Sequence, residues 1–174
     1  CKSTKRTVDP SAFVLDMGQN LAGFPEITVR GKKGQKITLL VSESLTDEGA
    51  CNQRQTGRQH YYEYTLKGEG VETWHPRFSY YGFRYIQVEG AVLKGQKNTL
   101  HLPVIQKIQS CFVYNSAPKV STFQCSNRIF NEAHRLIEKA VRSNMQSVFT
   151  DCPHREKLGW LEQDHLCGPG LLYN

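Results

Sequence analysis

Sixteen consecutive residues, Thr150 to His165, hold four carboxylates (Asp151, Glu156, Glu162 and Asp164), two histidines, one arginine and one tryptophan. Carboxylates beside an arginine and an indole suit a sugar site. Acids protonate or grip hydroxyls, a planar cation holds a carboxylate in place, and an aromatic face stacks on a ring. The same composition also describes a charged surface loop whose tryptophan fills the core. A third chemistry comes from Cys152-x-His154 and His165-x-Cys167, a mirror-image pair of potential zinc ligands. Zinc sites usually space local ligands two to four residues apart. A one-residue gap places the two side chains badly on a helix, so the expectation is no metal.

Something must hold these groups in place. Pro153 and Gly159 interrupt any long helix, which predicts a shaped loop leading into a helix. Upstream, Ser126 is the expected N-cap of an amphipathic helix. Its stripe is Ile129, Phe130, Ala133, Leu136, Ile137, Ala140 and Val141, with Glu132 and Arg135 able to pair. That stripe requires other elements to cover it. Before it, Ala12 to about Tyr114 reads as β. Ile37, Leu39 and Val41 alternate with polar neighbours, and Ile27 and Val29 do the same. The Gly31–Gly34 turn would join these two runs as a hairpin. Asp16 to Gly23 reads as a turn region and Thr46 to His60 as a long polar loop. Further strands are expected at Tyr62–Leu66, Leu100–Val104 and Ile108–Tyr114. The aromatics Trp74, Phe78, Tyr80, Tyr81, Phe83 and Tyr85 are expected to fill a sandwich core rather than form a binding platform. About eight short strands with turn signals make a β-sandwich the natural architecture.

Composition narrows the function class. The 174 residues are 39% hydrophobic and 22% charged, as in an ordinary globular protein. No apolar run is long enough to span a membrane as a helix. The net charge of +6 comes from dispersed residues such as Arg30, Lys94 and Arg142, apart from a short end with Lys2, Lys5 and Arg6. That pattern argues against nucleic acid. The six cysteines form no Cys-x-x-Cys pair, and most are expected to be free and buried. The chain opens without an initiator methionine or a signal-peptide pattern and closes within an apolar run, so a piece of a longer protein is expected.

The run Asp151-Cys152-Pro153-His154-Arg155-Glu156-Lys157-Leu158-Gly159-Trp160 resembles the signature of the bacterial α-L-rhamnosidase family of glycoside hydrolases. The resemblance extends to Asp16-Met17-Gly18-Gln19-Asn20, to Gly31–Gly34, and to Trp74-x-Pro76-x-Phe78 with Gly82-Phe83-Arg84-Tyr85. It implies a β-sandwich over residues 1–115, followed over 116–174 by the first helices of an (α/α)6 catalytic barrel whose remainder lies elsewhere. It implies Glu156 as the catalytic general acid of an inverting enzyme. Asp151, Arg155, Trp160 and Gln163 or Asp164 would bind substrate, and no metal or other cofactor would be needed. The implied partner is a carbohydrate with a terminal α-L-rhamnose or similar deoxy sugar, which suggests export to a periplasmic or extracellular site. Neither nucleic acid nor membrane is an implied partner. The catalytic base has no counterpart in this chain.

Two departures stand out. Many relatives read Arg-Asp-Glu-Arg where this chain has Arg155-Glu156-Lys157. The family's sugar-binding aspartate aligns with Gln163, between Glu162 and Asp164. Cations flanking Glu156 favour its charged form. Arg155 is therefore expected to face Asp151 or a sugar hydroxyl, with Trp160 desolvating Glu156. The alternative from another class is a non-catalytic carbohydrate-binding sandwich.

Overall fold

The computed structural model describes residues 3–6, 12–57 and 59–173. Cys1, Lys2 and Asn174 lie outside them. Two compact units divide between Phe112 and Val113.

The first unit is built on one long strand. In chain order the strands are β1 (Ser3–Arg6), β2 (Ala12–Arg30), β3 (Lys36–Ser42), β4 (Tyr61–Thr65), β5 (Val71–Trp74), β6 (Tyr81–Glu89), β7 (Val92–Leu93) and β8 (Val104–Phe112). The main path runs β4-β3-β6-β2-β8-β7, with β1 and β5 also paired to β2. All pairs are antiparallel except β7 with β8. The first part of β2 runs between β1 and β6, and its last part between β5 and β8. One strand thus belongs to both layers, and the sheet folds over along it into a sandwich.

Gly23 marks the handover, pairing with Tyr81 of β6 and Phe112 of β8. A Cβ there would sit 1.9 Å from the Cys111 carbonyl oxygen, so only glycine lets the backbones approach this closely. Between the layers Phe13, Leu15, Ile27, Val29, Ile37, Leu39, Val41, Phe83, Ile86, Val88 and Ile105 form one buried cluster. Burying each such side chain contributes about 1.5–3 kcal/mol.

Several local expectations change. Asp16 to Gly23 is a bulge inside β2 rather than a turn, with the register slipping between Asp16 and Leu21. The Asp16 carboxylate closes it by accepting the Gly18 N–H at 2.7 Å and a two-pronged grip from Arg84 at 2.9 and 2.8 Å. No β2–β3 hairpin forms, because β3 pairs with β4 and β6. Alternation specifies which face a strand buries, not which strand lies beside it. Leu100 is in a turn and exposed, and the last strand is continuous from Val104 to Phe112. Phe83 is in the core, and Trp74 and Tyr81 pack against it, but Phe78 is fully exposed at φ 56°. Of the five cysteines among the described residues all are free, but only Cys51 is buried; Cys111, Cys125, Cys152 and Cys167 are half-buried.

The second unit holds α1 (Arg128–Asn144) and α2 (Leu161–Tyr173). The N-cap of α1 is Asn127, one residue past the expected Ser126, and its side chain accepts the Ile129 N–H at 2.9 Å. Glu132 pairs with Arg135 as expected, and Glu138 with Lys119. The apolar stripe is present but open to solvent. Ile129, Phe130, Leu136 and Ile137 are exposed on α1, as are Leu161, Leu166 and Leu172 on α2. Neither helix is long and apolar enough to cross a membrane.

Candidate active site

The chemistry-bearing residues sit on the loop between α1 and α2, and polar bonds hold that loop. At the end of α1 the buried Thr150 donates its N–H to the Asn144 carbonyl at 2.8 Å and its hydroxyl to the same oxygen at 3.1 Å. This satisfies a carbonyl the helix end leaves without an intrahelical donor. Gly159 packs against Val148 and Phe149, where a Cβ would lie 3.2 Å from the Val148 side chain.

Asp151 then closes the turn from both sides. Its N–H donates to the Leu158 carbonyl at 3.0 Å, and its Oδ1 accepts the Leu158 N–H at 3.0 Å. Lys157 adopts φ 56° to complete the reversal. Inside the loop, the Glu156 N–H donates to Cys152 Sγ at 3.3 Å, and the Cys152 thiol lies 3.5 Å from Asp151 Oδ2. Burial pushes the Asp151 carboxyl up. The Leu158 N–H, the Cys152 thiol and the local backbone outweigh it and hold the group below the usual carboxylate range. Asp151 is therefore an anion near neutrality.

Arg155 does not face Asp151. Its Nη2 lies 3.1 Å from Glu156 Oε1, and both side chains reach solvent. The two neighbours project from the same turn, where an adjacent anion is closer to hand than the clamped Asp151. Trp160 is half exposed just before α2, and its carbonyl accepts the Gln163 N–H at 3.0 Å. Gln163 is half-buried in the first turn of α2 and Asp164 exposed beside it. Acidic side chains there complement the positive end of the helix dipole.

The turn thus brings Asp151, Arg155 and Glu156 together through backbone and thiol bonds. Trp160, Gln163 and Asp164 belong to the start of the next element. A groove of about 300 Å³ lies among α1, α2 and the 115–119 segment, and none of the six site residues lines it. Among the described residues no three His, Cys, Asp or Glu side chains gather as metal ligands. The Cys152 thiol was missed by sequence reasoning as a structural partner. A proline immediately after it, with Glu156 four residues on, was the available signal for a tight turn.

Residues 6–114 match the bacterial alpha-L-rhamnosidase concanavalin-like domain, and residues 118–174 the bacterial alpha-L-rhamnosidase six-hairpin glycosidase domain. The chain belongs to the bacterial α-L-rhamnosidase family. An alpha-L-rhamnosidase of Formosa agariphila is 33% identical over 168 residues, covering 93% of this chain and 17% of that protein. One from Streptomyces avermitilis is 34% identical, covering 94% of this chain and 15% of that protein. The crystal structure of the Streptomyces avermitilis alpha-L-rhamnosidase complexed with L-rhamnose superposes with a TM-score of 0.80 at 32% identity, over 97% of this chain and 16% of that one. The alpha-L-rhamnosidase of Dictyoglumus thermophilum gives a TM-score of 0.81 at 30% identity, covering 99% of this chain and 20% of that one. This rhamnosidase-family chain therefore spans under a fifth of the curated relatives' length. It carries a β-sandwich of the concanavalin-like type and helices of the six-hairpin domain.

Proposed function

We propose that this chain forms the sandwich (residues 1–115) and the opening of the catalytic barrel (residues 116–174) of a longer inverting α-L-rhamnosidase. The observation that carries this is the clamped turn Asp151–Leu158, which sets an anionic Asp151 and the Arg155–Glu156 pair on one short loop.

In this reading Glu156 is the general acid that protonates the departing glycosidic oxygen. A second carboxylate, outside this chain, activates water on the opposite face of the sugar. Inverting enzymes hold such a pair roughly 6.5–9.5 Å apart to admit that water. Asp151, held ionised, accepts hydrogen bonds from sugar hydroxyls through the oxygen that Leu158 leaves open. Arg155 releases Glu156 when substrate arrives and takes a hydroxyl or Asp151 instead, which leaves the Glu156 carboxyl free to reach the glycosidic oxygen. Trp160 offers its half-exposed face to the apolar side of the deoxy sugar. Gln163 both donates and accepts without charge, and Asp164 supplies the nearby carboxylate. No cofactor takes part. The substrate is a terminal α-L-rhamnoside of a plant glycoside or polysaccharide.

The test is hydrolysis of an aryl α-L-rhamnoside by the full-length hydrolase, followed by proton NMR from the first turnovers. Release of rhamnose with the β-anomer appearing first is the expected result. The α-anomer first would remove the inverting mechanism, and no cleavage across a panel of α-L-glycosides would remove the activity. A second reading, a carbohydrate-binding sandwich, rests on the fully exposed Phe78. Loss of oligosaccharide binding in Phe78→Ala, with hydrolysis absent throughout, would favour it.

A further inference from the structure

The Cys152 side chain touches both Asp151 and the backbone of Glu156. Its sulfur accepts the Glu156 N–H at 3.3 Å, and its thiol points to Asp151 Oδ2 at 3.5 Å. The three groups form a chain in which each donor feeds the next acceptor: N–H to sulfur, thiol to carboxylate. The other oxygen of Asp151 is committed to the Leu158 N–H at 3.0 Å. Glu156 lies inside the loop that Asp151 and Leu158 close, and among the described contacts it does not bond Asp151 directly. The thiol supplies that link.

We infer that Cys152 is a positioning residue of the glycosidase site, fixing the substrate-binding carboxylate of Asp151 relative to the acid-bearing backbone of Glu156. The inference rests on the roles proposed above for those two residues. Sulfur suits the position. A thiol bonds at longer range than a hydroxyl and is a weak donor, so it can steer a carboxylate that must still accept bonds from sugar. A misplacement of about 1 Å can cost a site 10²-fold in rate. Removing one weak bond of this clamp is a smaller perturbation.

The inference makes Cys152 different from the other free cysteines. Cys51 is buried in the sandwich, where burial pushes its thiol up to about 11, and it lies in the unit that does not carry the site.

The experiment compares Cys152→Ala and Cys152→Ser in the full-length hydrolase. Two measurements are made: steady-state kinetics on an aryl α-L-rhamnoside, and hydrogen exchange of the peptide spanning residues 151–158. Alanine is expected to lower kcat/KM roughly tenfold, chiefly through a higher KM, because Asp151 loses its guide. It also moves the acid limb of the kcat/KM profile to higher pH, since one donor holding Asp151 ionised is gone. Exchange in the peptide quickens. Serine, which donates and accepts in the same place with a shorter reach, recovers most of both effects. Wild-type kinetics and exchange in Cys152→Ala would overturn the inference. So would equal losses in both variants with a lowered melting temperature, the mark of a packing role. If wild type cleaves no glycoside yet exchange quickens in Cys152→Ala alone, the clamp stands and the rhamnosidase reading falls.

Discussion

Phe83 and Leu136 are both large apolar side chains on regular elements, yet Phe83 is fully buried and Leu136 is 66% exposed. The contrast holds across the two units. The sandwich gathers its alternating residues from both ends of β2 into one cluster. In the helical unit the only buried residue of α1 is Ser143, and α2 has none. The residues proposed to do chemistry lie in the second unit. There the loop that carries them is ordered by Thr150, Asp151 and Cys152 through hydrogen bonds rather than by a packed core. Hydrogen bonds fix direction and spacing, whereas apolar burial fixes only proximity. A site that must aim a carboxyl group therefore gains more from the former.

Substitutions can break this comparison or sharpen it. Phe83→Ala is expected to destabilise the sandwich by about 3–5 kcal/mol, read as a shift of the denaturant midpoint. Gly23→Ala forces the β2 and β8 backbones apart at the corner, and its cost should be detectable in the same titration. A neutral Gly23→Ala would mean that the corner can relax.

An acid titration probes the sandwich through Glu72. The Tyr64 hydroxyl, with the Lys67 and Gly68 N–H groups, outweighs burial and holds the Glu72 carboxyl below its ordinary value of 4.5. Its folded value is depressed, so its contribution is present above pH 4.5 and disappears as pH falls through the lower folded value. Sandwich stability should fall in that window, and Glu72→Gln should flatten the fall. An unchanged acid limb in Glu72→Gln would assign it to other carboxylates.

Smaller effects belong to the helical unit. Asn127→Ala removes the α1 cap and should cost about 1 kcal/mol of helix stability, seen as lost ellipticity at the onset of melting. Leu136→Ala should change the stability of the 174-residue chain by less than about 0.5 kcal/mol, because the side chain is already in water. In a longer hydrolase whose other helices cover α1 the same change should cost about 2–5 kcal/mol. Equal effects in both settings would erase the contrast drawn here.

How legible these features were depends on the range of the interaction. Ile37, Leu39 and Val41 are buried as their alternation requires, since period two is a property of a single strand. That β3 pairs with β6 rather than β2 is a long-range choice, and alternation does not encode it. Phe78 sits in an aromatic run that otherwise packs on the core, but its left-handed backbone turns it outward, and composition carries no sign of that. The cap of α1 fell one residue away because Ser126 and Asn127 are both capping types. Among the proposed site residues, Asp151 and Glu156 were singled out by residue type and by the family signature, and the structure puts both on one clamped turn. Arg155, expected to face Asp151 or a sugar hydroxyl, turns to Glu156 rather than Asp151, because the direction of a side chain on the Asp151–Leu158 turn depends on which backbone bonds close it. Cys152 was weighed in the sequence as a zinc ligand, and its bonds to Asp151 and Glu156 were illegible for the same reason.

The most direct test is the rate of the full-length hydrolase on an aryl α-L-rhamnoside beside its Glu156→Gln variant. Loss of about 10²-fold or more in kcat with L-rhamnose still bound is the predicted result, since an amide keeps the shape but has no proton to give. A variant that retains the wild-type rate would contradict the assignment of Glu156 as the acid and, with it, the account of the clamped turn as the catalytic one.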